Sequence, residues 1–164
     1  MSDDNKKIKL LIVDDDVKLL NTMSERLGLK DFDVSTATDG KRAIKVAKRG
    51  QFDVAILDLK MPGMDGLDLL EILKKKHKYL EIIMLTGFAS VDTAVEAGKL
   101  GAFTYLEKPY DFGNLVQKLK EAYEARLKKK FQDDPSRMEE LQKLSMGDPL
   151  SVLAALRRLD DDVK

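Results

Sequence analysis

Four places in this chain hold the residues best suited to chemistry. Asp14, Asp15 and Asp16 follow one apolar run, Asp58 a second, Thr86 a third and Lys108 a fourth. Carboxylates gathered in one place repel one another unless something positive lies between them. A hard divalent cation such as Mg²⁺ answers that need: it takes oxygen ligands, tolerates few carboxylates and keeps several waters. The chain has no cysteine and one histidine, His77, set in the solvated basic stretch Lys74-Lys75-Lys76-His77-Lys78. Zinc and copper would therefore lack the ligands they prefer, and disulfides and thiol nucleophiles are excluded. A lysine and a hydroxyl beside a metal suit a phosphoryl group, whose charge they neutralise and hydrogen-bond. One carboxylate can itself be the nucleophile and become an aspartyl-phosphate.

Each of these residues also has a plainer reading. Asp16 can be the N-cap of a following helix. Asp58 can open the turn Met61-Pro62-Gly63-Met64-Asp65-Gly66, in which proline and glycine set the backbone. Thr86 can be an ordinary strand-end threonine and Lys108 a solvated loop lysine. Singly, the plainer readings suffice. Together, four such groups after alternating strands call for a shared purpose.

The elements that must position them follow from hydrophobic period. Ile8 to Val13, apolar apart from Lys9, reads as a strand buried on both faces. Val17, Leu20, Met23, Leu27 and Leu29 fall at helical spacing over Val17 to Leu29. Phe32 to Thr36 is a second, weaker strand. Asp39 caps a helix with Ala43, Ile44, Val46 and Ala47 inward, stopped at Gly50. Val54 to Leu57, Glu81 to Thr86 and Phe103 to Leu106 are further strands. Between them lie helices at Gly66 to Lys76, with Leu67, Leu70 and Leu73 on one face, and at Val91 to Leu100. A longer helix starts at Tyr110. This alternation predicts an α/β fold with a five-stranded parallel sheet and helices on both faces. In such sheets ligands bind outside the carboxyl ends of the strands, where the acids, the hydroxyl and the lysine all fall.

Composition is compatible with one folded domain. Of 164 residues, 43% are hydrophobic and 35% charged, and 29 basic side chains balance 29 acidic ones. That balance argues against a nucleic-acid surface spread over the whole chain. The opening from Met1 to Lys7 is polar, and no apolar run approaches the roughly 18 residues of a membrane span. The expected location is the cytoplasm.

At this point the residues resemble a known family, the receiver domains of two-component response regulators. Leu11-Ile12-Val13-Asp14-Asp15-Asp16 is similar to the family's acidic opening. Leu57-Asp58-Leu59-Lys60-Met61-Pro62-Gly63-Met64-Asp65-Gly66 matches its phosphoacceptor segment. Leu85-Thr86-Gly87 and Tyr105-Leu106-Glu107-Lys108-Pro109 complete the set in order. Ala94-Val95-Glu96-Ala97 and Leu100-Gly101-Ala102-Phe103 are similar to receivers that precede sigma-54-activating ATPases, although no P-loop is present. The resemblance implies a flavodoxin-like sheet of strand order 2-1-3-4-5. It implies that Asp58 takes phosphate from a sensor histidine kinase or phosphotransfer protein. Asp15, Asp58 and the backbone carbonyl of Lys60 would ligate Mg²⁺, with Asp14 holding a metal-bound water. Lys108, beside a cis bond to Pro109, would pair with a phosphoryl oxygen. Thr86 would swing to the phosphoryl group and Tyr105 would turn inward after it. The protein would be a phosphoacceptor switch and not a turnover enzyme, read out through its fourth helix, fifth strand and fifth helix. Gly98 inside the fourth helix would keep that face mobile.

Residues 1–130 form the expected receiver and 131–164 a helical tail of two short amphipathic helices. Leu115, Leu119, Tyr123 and Leu127 repeat every four residues along the fifth helix, which reaches about Lys130. That stripe serves either the core or an extended helix used for dimerisation or linkage. Asp133-Asp134-Pro135 and Gly147-Asp148-Pro149 each break and recap the chain. The two helices carry Met138, Leu141 and Leu144, then Leu150, Val152, Leu153, Leu156 and Leu159. They invite packing on the receiver, a homodimer through themselves or the switch face, or a protein partner. A DNA-reading helix pair fits poorly, since Leu150-Ser151-Val152-Leu153 lacks base-reading side chains and Asp160-Asp161-Asp162 would repel phosphates. Two competing readings are a phosphorylation-independent adaptor and a haloacid-dehalogenase-like phosphatase, whose nucleophile would be Asp14.

Overall fold

Alternation at a period of two, with both faces buried, builds the sheet. In β1 (Ile8–Val13), Ile8, Leu10 and Ile12 enter one hydrophobic cluster while Leu11 and Val13 enter the other. β3 (Val54–Leu57) and β4 (Glu81–Thr86) divide their side chains in the same way. β2 (Phe32–Ala37) and β5 (Thr104–Glu107) close the edges. All pairings are parallel, in the order β2-β1-β3-β4-β5. The computed structural model describes residues 7–161, so the polar opening before Lys7 and the acidic end at Asp162 lie outside the described residues.

Crossover helices cover both faces. α1 (Val17–Gly28) and α5 (Phe112–Lys130) share one cluster with the sheet. The other face takes α2 (Gly40–Arg49), α3 (Gly66–Lys76) and α4 (Val91–Lys99). Each of the five helices opens on a polar cap. Side chains of Asp16, Asp39, Asp65, Ser90 and Asp111 accept from Leu19, Arg42, Asp68, Thr93 and Asn114 amides. These caps satisfy donors that the helix leaves unpaired.

Three details of the sequence reading need correction. Val17 and Leu29 are exposed, because one starts α1 and the other lies just past its end. Leu69, not assigned to the inward face of α3, is fully buried beside Leu70 and Leu73, so that face is broader than the expected stripe. β5 begins at Thr104, leaving the half-exposed Phe103 outside the ladder.

The tail is part of the same core. α5 runs to Lys130 and its cap residue Phe131 is buried. α6 (Pro135–Leu144) and α7 (Pro149–Asp161) then fold back onto it. Asp134 caps α6 ahead of Pro135, and Asp148 accepts from the Ser151 amide at the start of α7. Leu141, Val152, Leu153, Leu156 and Leu159 join Tyr123, Leu127 and Phe131 in the α1–α5 cluster. The apolar stripe of α5 is therefore consumed inside the chain and is not free for an extended coiled coil.

Asp160, read in the sequence as part of an acidic run that would repel phosphates, is 4% exposed. Its carboxylate accepts from the Tyr123 hydroxyl at 2.6 Å and is paired with Lys130 and with Arg126, the latter at 3.4 Å. Arg126 also reaches Asp53 at 3.2 Å and the Tyr79 carbonyl at 2.8 Å, and Asp53 accepts from the Lys9 amide. A buried carboxylate is tolerated only when paired in this way. The network ties α7 to α5 and to the amino-terminal ends of β1 and β3.

Candidate functional site

Parallel strands deliver their last residues to one rim, and the expected groups meet there. Asp14 and Asp58, at the ends of β1 and β3, are buried to 3% and 4% exposure, while Asp15 is exposed. One oxygen from each of Asp14, Asp15 and Asp58 lies within 4.8 Å of the others. Lys108, after β5, places its ammonium 2.5 Å from Asp14 Oδ2 and 3.7 Å from Asp58 Oδ2. Its backbone amide donates to the Thr86 carbonyl at 2.9 Å, and the bond to Pro109 is cis. Asp14, Asp15, Asp58 and Lys108 line an open cleft of about 440 Å³ with Lys60, Pro62 and Phe88. Asp16 lines it too, although its side chain is spent capping α1.

The two buried carboxylates are not equivalent. Asp14 is engaged on both oxygens, Oδ1 by the Asp16 amide at 2.9 Å and Oδ2 by Lys108. Asp58 Oδ1 is buried with no close hydrogen-bond partner. Burial, and then the neighbouring Asp14 charge, push the Asp58 carboxyl above its usual range, only partly offset by Lys108. A buried carboxylate with an unpartnered oxygen beside two others is a site short of positive charge. Oxygen-only donors of this number fit Mg²⁺ and offer nothing to softer metals.

Local backbone explains how Asp58 is held. Gly66 donates its amide to the Leu59 carbonyl at 2.7 Å. A Cβ on Gly66 would sit 2.1 Å from the Asp58 carbonyl oxygen, so only glycine fits. Gly63 takes a positive φ of 80°, which glycine adopts freely. The turn reading of this segment holds: the turn presses the helix start of α3 against the strand that ends at Asp58.

Thr86 and Tyr105 connect the rim to α4. Thr86 is fully buried, and its Oγ1 accepts from the Phe88 amide at 3.1 Å. The half-buried Tyr105 places its hydroxyl 2.8 Å from Thr93 Oγ1. Thr93 and the cap Ser90 bond reciprocally in the first turn of α4. Phe88 stands at the cleft mouth with the Lys60 ammonium 5.0 Å over its ring. The sequence reading did not single out Thr93, Ser90 or Phe88. The Ser90-x-x-Thr93 spacing before an apolar-periodic stretch was the available signal for two of them.

A family profile described as the response regulator receiver domain matches residues 10–120. The transcriptional regulatory protein ZraR of Escherichia coli is 36% identical over 122 residues, covering 74% of this chain and 27% of its own. The chain spans about a quarter of the length of the curated relatives it matches. The beryllofluoride-activated NtrC4 receiver dimer superposes with a TM-score of 0.69 at 34% identity, over 72% of this chain and 98% of its own. TrrA of Thermotoga maritima, solved with Mg²⁺ and beryllofluoride, gives a TM-score of 0.64 at 30% identity, over 70% and 98%.

Proposed function

The chain belongs to the response regulator receiver domain family, and on that premise we propose that Asp58 is its phosphoacceptor. The observation that carries this is the asymmetry of the two buried carboxylates. Asp14 has both oxygens occupied, whereas Asp58 Oδ1 is buried without a hydrogen-bond partner. That asymmetry also weighs against a phosphatase with Asp14 as nucleophile.

Asp58 attacks the phosphorus of a phosphohistidine on a sensor kinase or phosphotransfer protein. A new O–P bond forms as the N–P bond breaks, and the imidazole leaves with the electron pair and is reprotonated. Asp15, Asp58 and the Lys60 carbonyl would hold Mg²⁺, with Asp14 orienting a metal-bound water. A bound Mg²⁺ supplies charge neutralisation for the carboxylates and the incoming phosphoryl oxygens. Lys108, already between Asp14 and Asp58, shifts its ion pair to the phosphoryl group. Thr86 turns its hydroxyl to another phosphoryl oxygen, which deprives the Phe88 amide of its acceptor. The loop to Ser90 then readjusts, and the α4 cap with Thr93 releases Tyr105 inward. Local charge is thereby converted into a rearranged α4–β5–α5 face.

That face carries the exposed side chains of Val91 and Val95, with Phe103 half-exposed beside β5. It is therefore the favoured surface for a homodimer, because α6 and α7 have their apolar sides buried against α5. The test is incubation with acetyl phosphate and Mg²⁺, reading intact mass beside Asp58→Asn and Asp14→Asn. Gain of one phosphoryl group, abolished by Asp58→Asn or by chelation, supports the assignment. No gain under any condition would leave the adaptor reading, and loss confined to Asp14→Asn would restore the phosphatase one.

A further inference from the structure

The tail builds a second cleft that the family-matched residues 10–120 alone would not possess. It is an open groove of about 520 Å³ between α1, the start of α5 and the start of α7. Its floor is apolar, made by Phe112, Val116, Pro149 and Leu150. Leu29, on the cleft wall, is 79% exposed. An apolar floor with an exposed leucine at its wall and charged residues at its rim is the kind of surface that marks an interaction site.

One wall is cationic. Arg26 and Lys30 stand four residues apart on the exposed side of α1 and beyond its end. Neither has an ion-pair partner among the described residues; Arg26 instead lies 4.0 Å over the Phe112 ring. The ring contact engages the guanidinium without using its N–H groups, and the exposed side chain can offer those to a carboxylate, the partner that suits bidentate pairing. Opposite, Asp148 has its carboxylate turned to the Ser151 amide and hydroxyl as a helix cap.

We propose that this groove docks a segment of a protein partner that combines apolar anchors with aspartate or glutamate. The apolar floor takes the anchors, and Arg26 with Lys30 takes the acids. Nucleic acid fits poorly, since the floor offers no polar edge and the far wall holds Asp148. The groove is distinct from the phosphoacceptor cleft and from the α4 face, and it exists only while α7 is docked.

The test selects a displayed library of random peptides against the full chain and maps the enriched peptides by amide chemical shifts. The expected ligands join leucine, isoleucine or phenylalanine to acidic residues and shift the amides of Arg26, Phe112 and Leu150. Arg26→Glu and Lys30→Glu should each weaken them on the order of tenfold, as loss of a complementary charge does, and Leu29→Ser should weaken them too. These side chains are exposed, so unchanged phosphoacceptance from acetyl phosphate verifies that each variant is folded. Basic or neutral ligands, binding indifferent to the charge reversals, shifts confined to α4, or no enrichment would each overturn the proposal. So would self-association of the chain that is lost in Arg26→Glu, since the occupant would then be a second copy.

Discussion

Removing the Asp160 carboxylate should loosen the tail without touching the proposed phosphoacceptor site, and its cost can be worked from the contacts. In Asp160→Ala the buried Tyr123 hydroxyl loses its acceptor at 2.6 Å, which costs about 1–3 kcal/mol. Lys130 is 19% exposed at its side chain and can turn to solvent at little cost. Arg126 keeps Asp53 and the Tyr79 carbonyl, so its charge is not orphaned. Arg157, 3.8 Å from Asp160, keeps the Lys7 carbonyl, so the sum stays at about 1–3 kcal/mol, below the usual cost of breaking a buried pair. With a urea slope of about 2 kcal/mol/M the unfolding midpoint falls by about 0.5–1.5 M. Asp160→Asn keeps an acceptor and should cost about half as much. The sign with pH is also determined. Burial pushes Asp160 up, but Lys130, Tyr123 and Arg126 together hold it below its usual range. Its stabilisation is therefore complete above the unfolded carboxylate value and is lost as pH falls through the lower folded value. The gap between wild type and Asp160→Asn should close below about pH 4. Asp53, pushed up by burial, acts in the opposite sense. A midpoint change worth less than about 0.5 kcal/mol, the range of surface substitutions, would refute the tether. Loss of acetyl-phosphate labelling in a folded Asp160→Ala would refute its separation from the site.

Other perturbations follow from the same contacts. Gly66→Ala drives a methyl into the Asp58 carbonyl at 2.1 Å; it should destabilise by more than about 3 kcal/mol and abolish labelling, and normal labelling would contradict the packing. Asp58→Asn removes a carboxylate whose ionised form is disfavoured by burial and by Asp14, so it should raise stability by about 0.5–2 kcal/mol at neutral pH, and a lowered Tm would count against that balance. Because the folded pKa of Asp58 is raised, labelling should fail on acidification earlier than for an ordinary carboxylate, and added Mg²⁺ should move that loss to lower pH. Thr93→Val should cost about 1 kcal/mol through the lost cap and leave labelling intact, while uncoupling the Tyr105 resonance from phosphorylation; a Tyr105 response equal to wild type would remove Thr93 from the relay.

What could be read beforehand follows physical lines. Strands buried on both faces leave continuous apolar runs, so β1, β3 and β4 were legible to the residue or nearly so. Helix starts were legible where an aspartate caps, as at Asp39 and Asp134. The site was legible because parallel topology sends the residues after each strand to one rim, whatever the packing details. Other features depend on tertiary geometry that one-dimensional patterns do not carry. The burial of Asp160 is one, because an acidic run at a helix end looks solvated until Tyr123 and Lys130 are found beside it. The Tyr105–Thr93 contact is another, joining residues twelve apart in sequence. The stripe on α5 showed that something would cover it, but not whether the cover came from this chain or another.

The net charge of zero concealed a polarity that parallel architecture imposes. Every crossover helix begins at the rim and ends at the opposite pole, so acidic caps and basic last turns segregate by position. Asp16, Asp39, Asp65 and Asp111 cap at the rim, while Lys48 and Arg49, Lys74 to Lys76 and Lys128 to Lys130 close the last turns of α2, α3 and α5. Helix dipoles favour this placement at both ends. The rim thus accumulates carboxylates for reasons of helix stability alone, and Asp14, Asp15 and Asp58 add to that excess. One lysine, Lys108, enters the cluster against it. A site this short of positive charge is costly without a cation and a phosphoryl-binding lysine, which makes it receptive to a metal ion and sensitive to each charge that arrives. On the proposed assignment of Asp58 as phosphoacceptor, the same imbalance that raises its carboxyl is what would let its modification shift the α4 face.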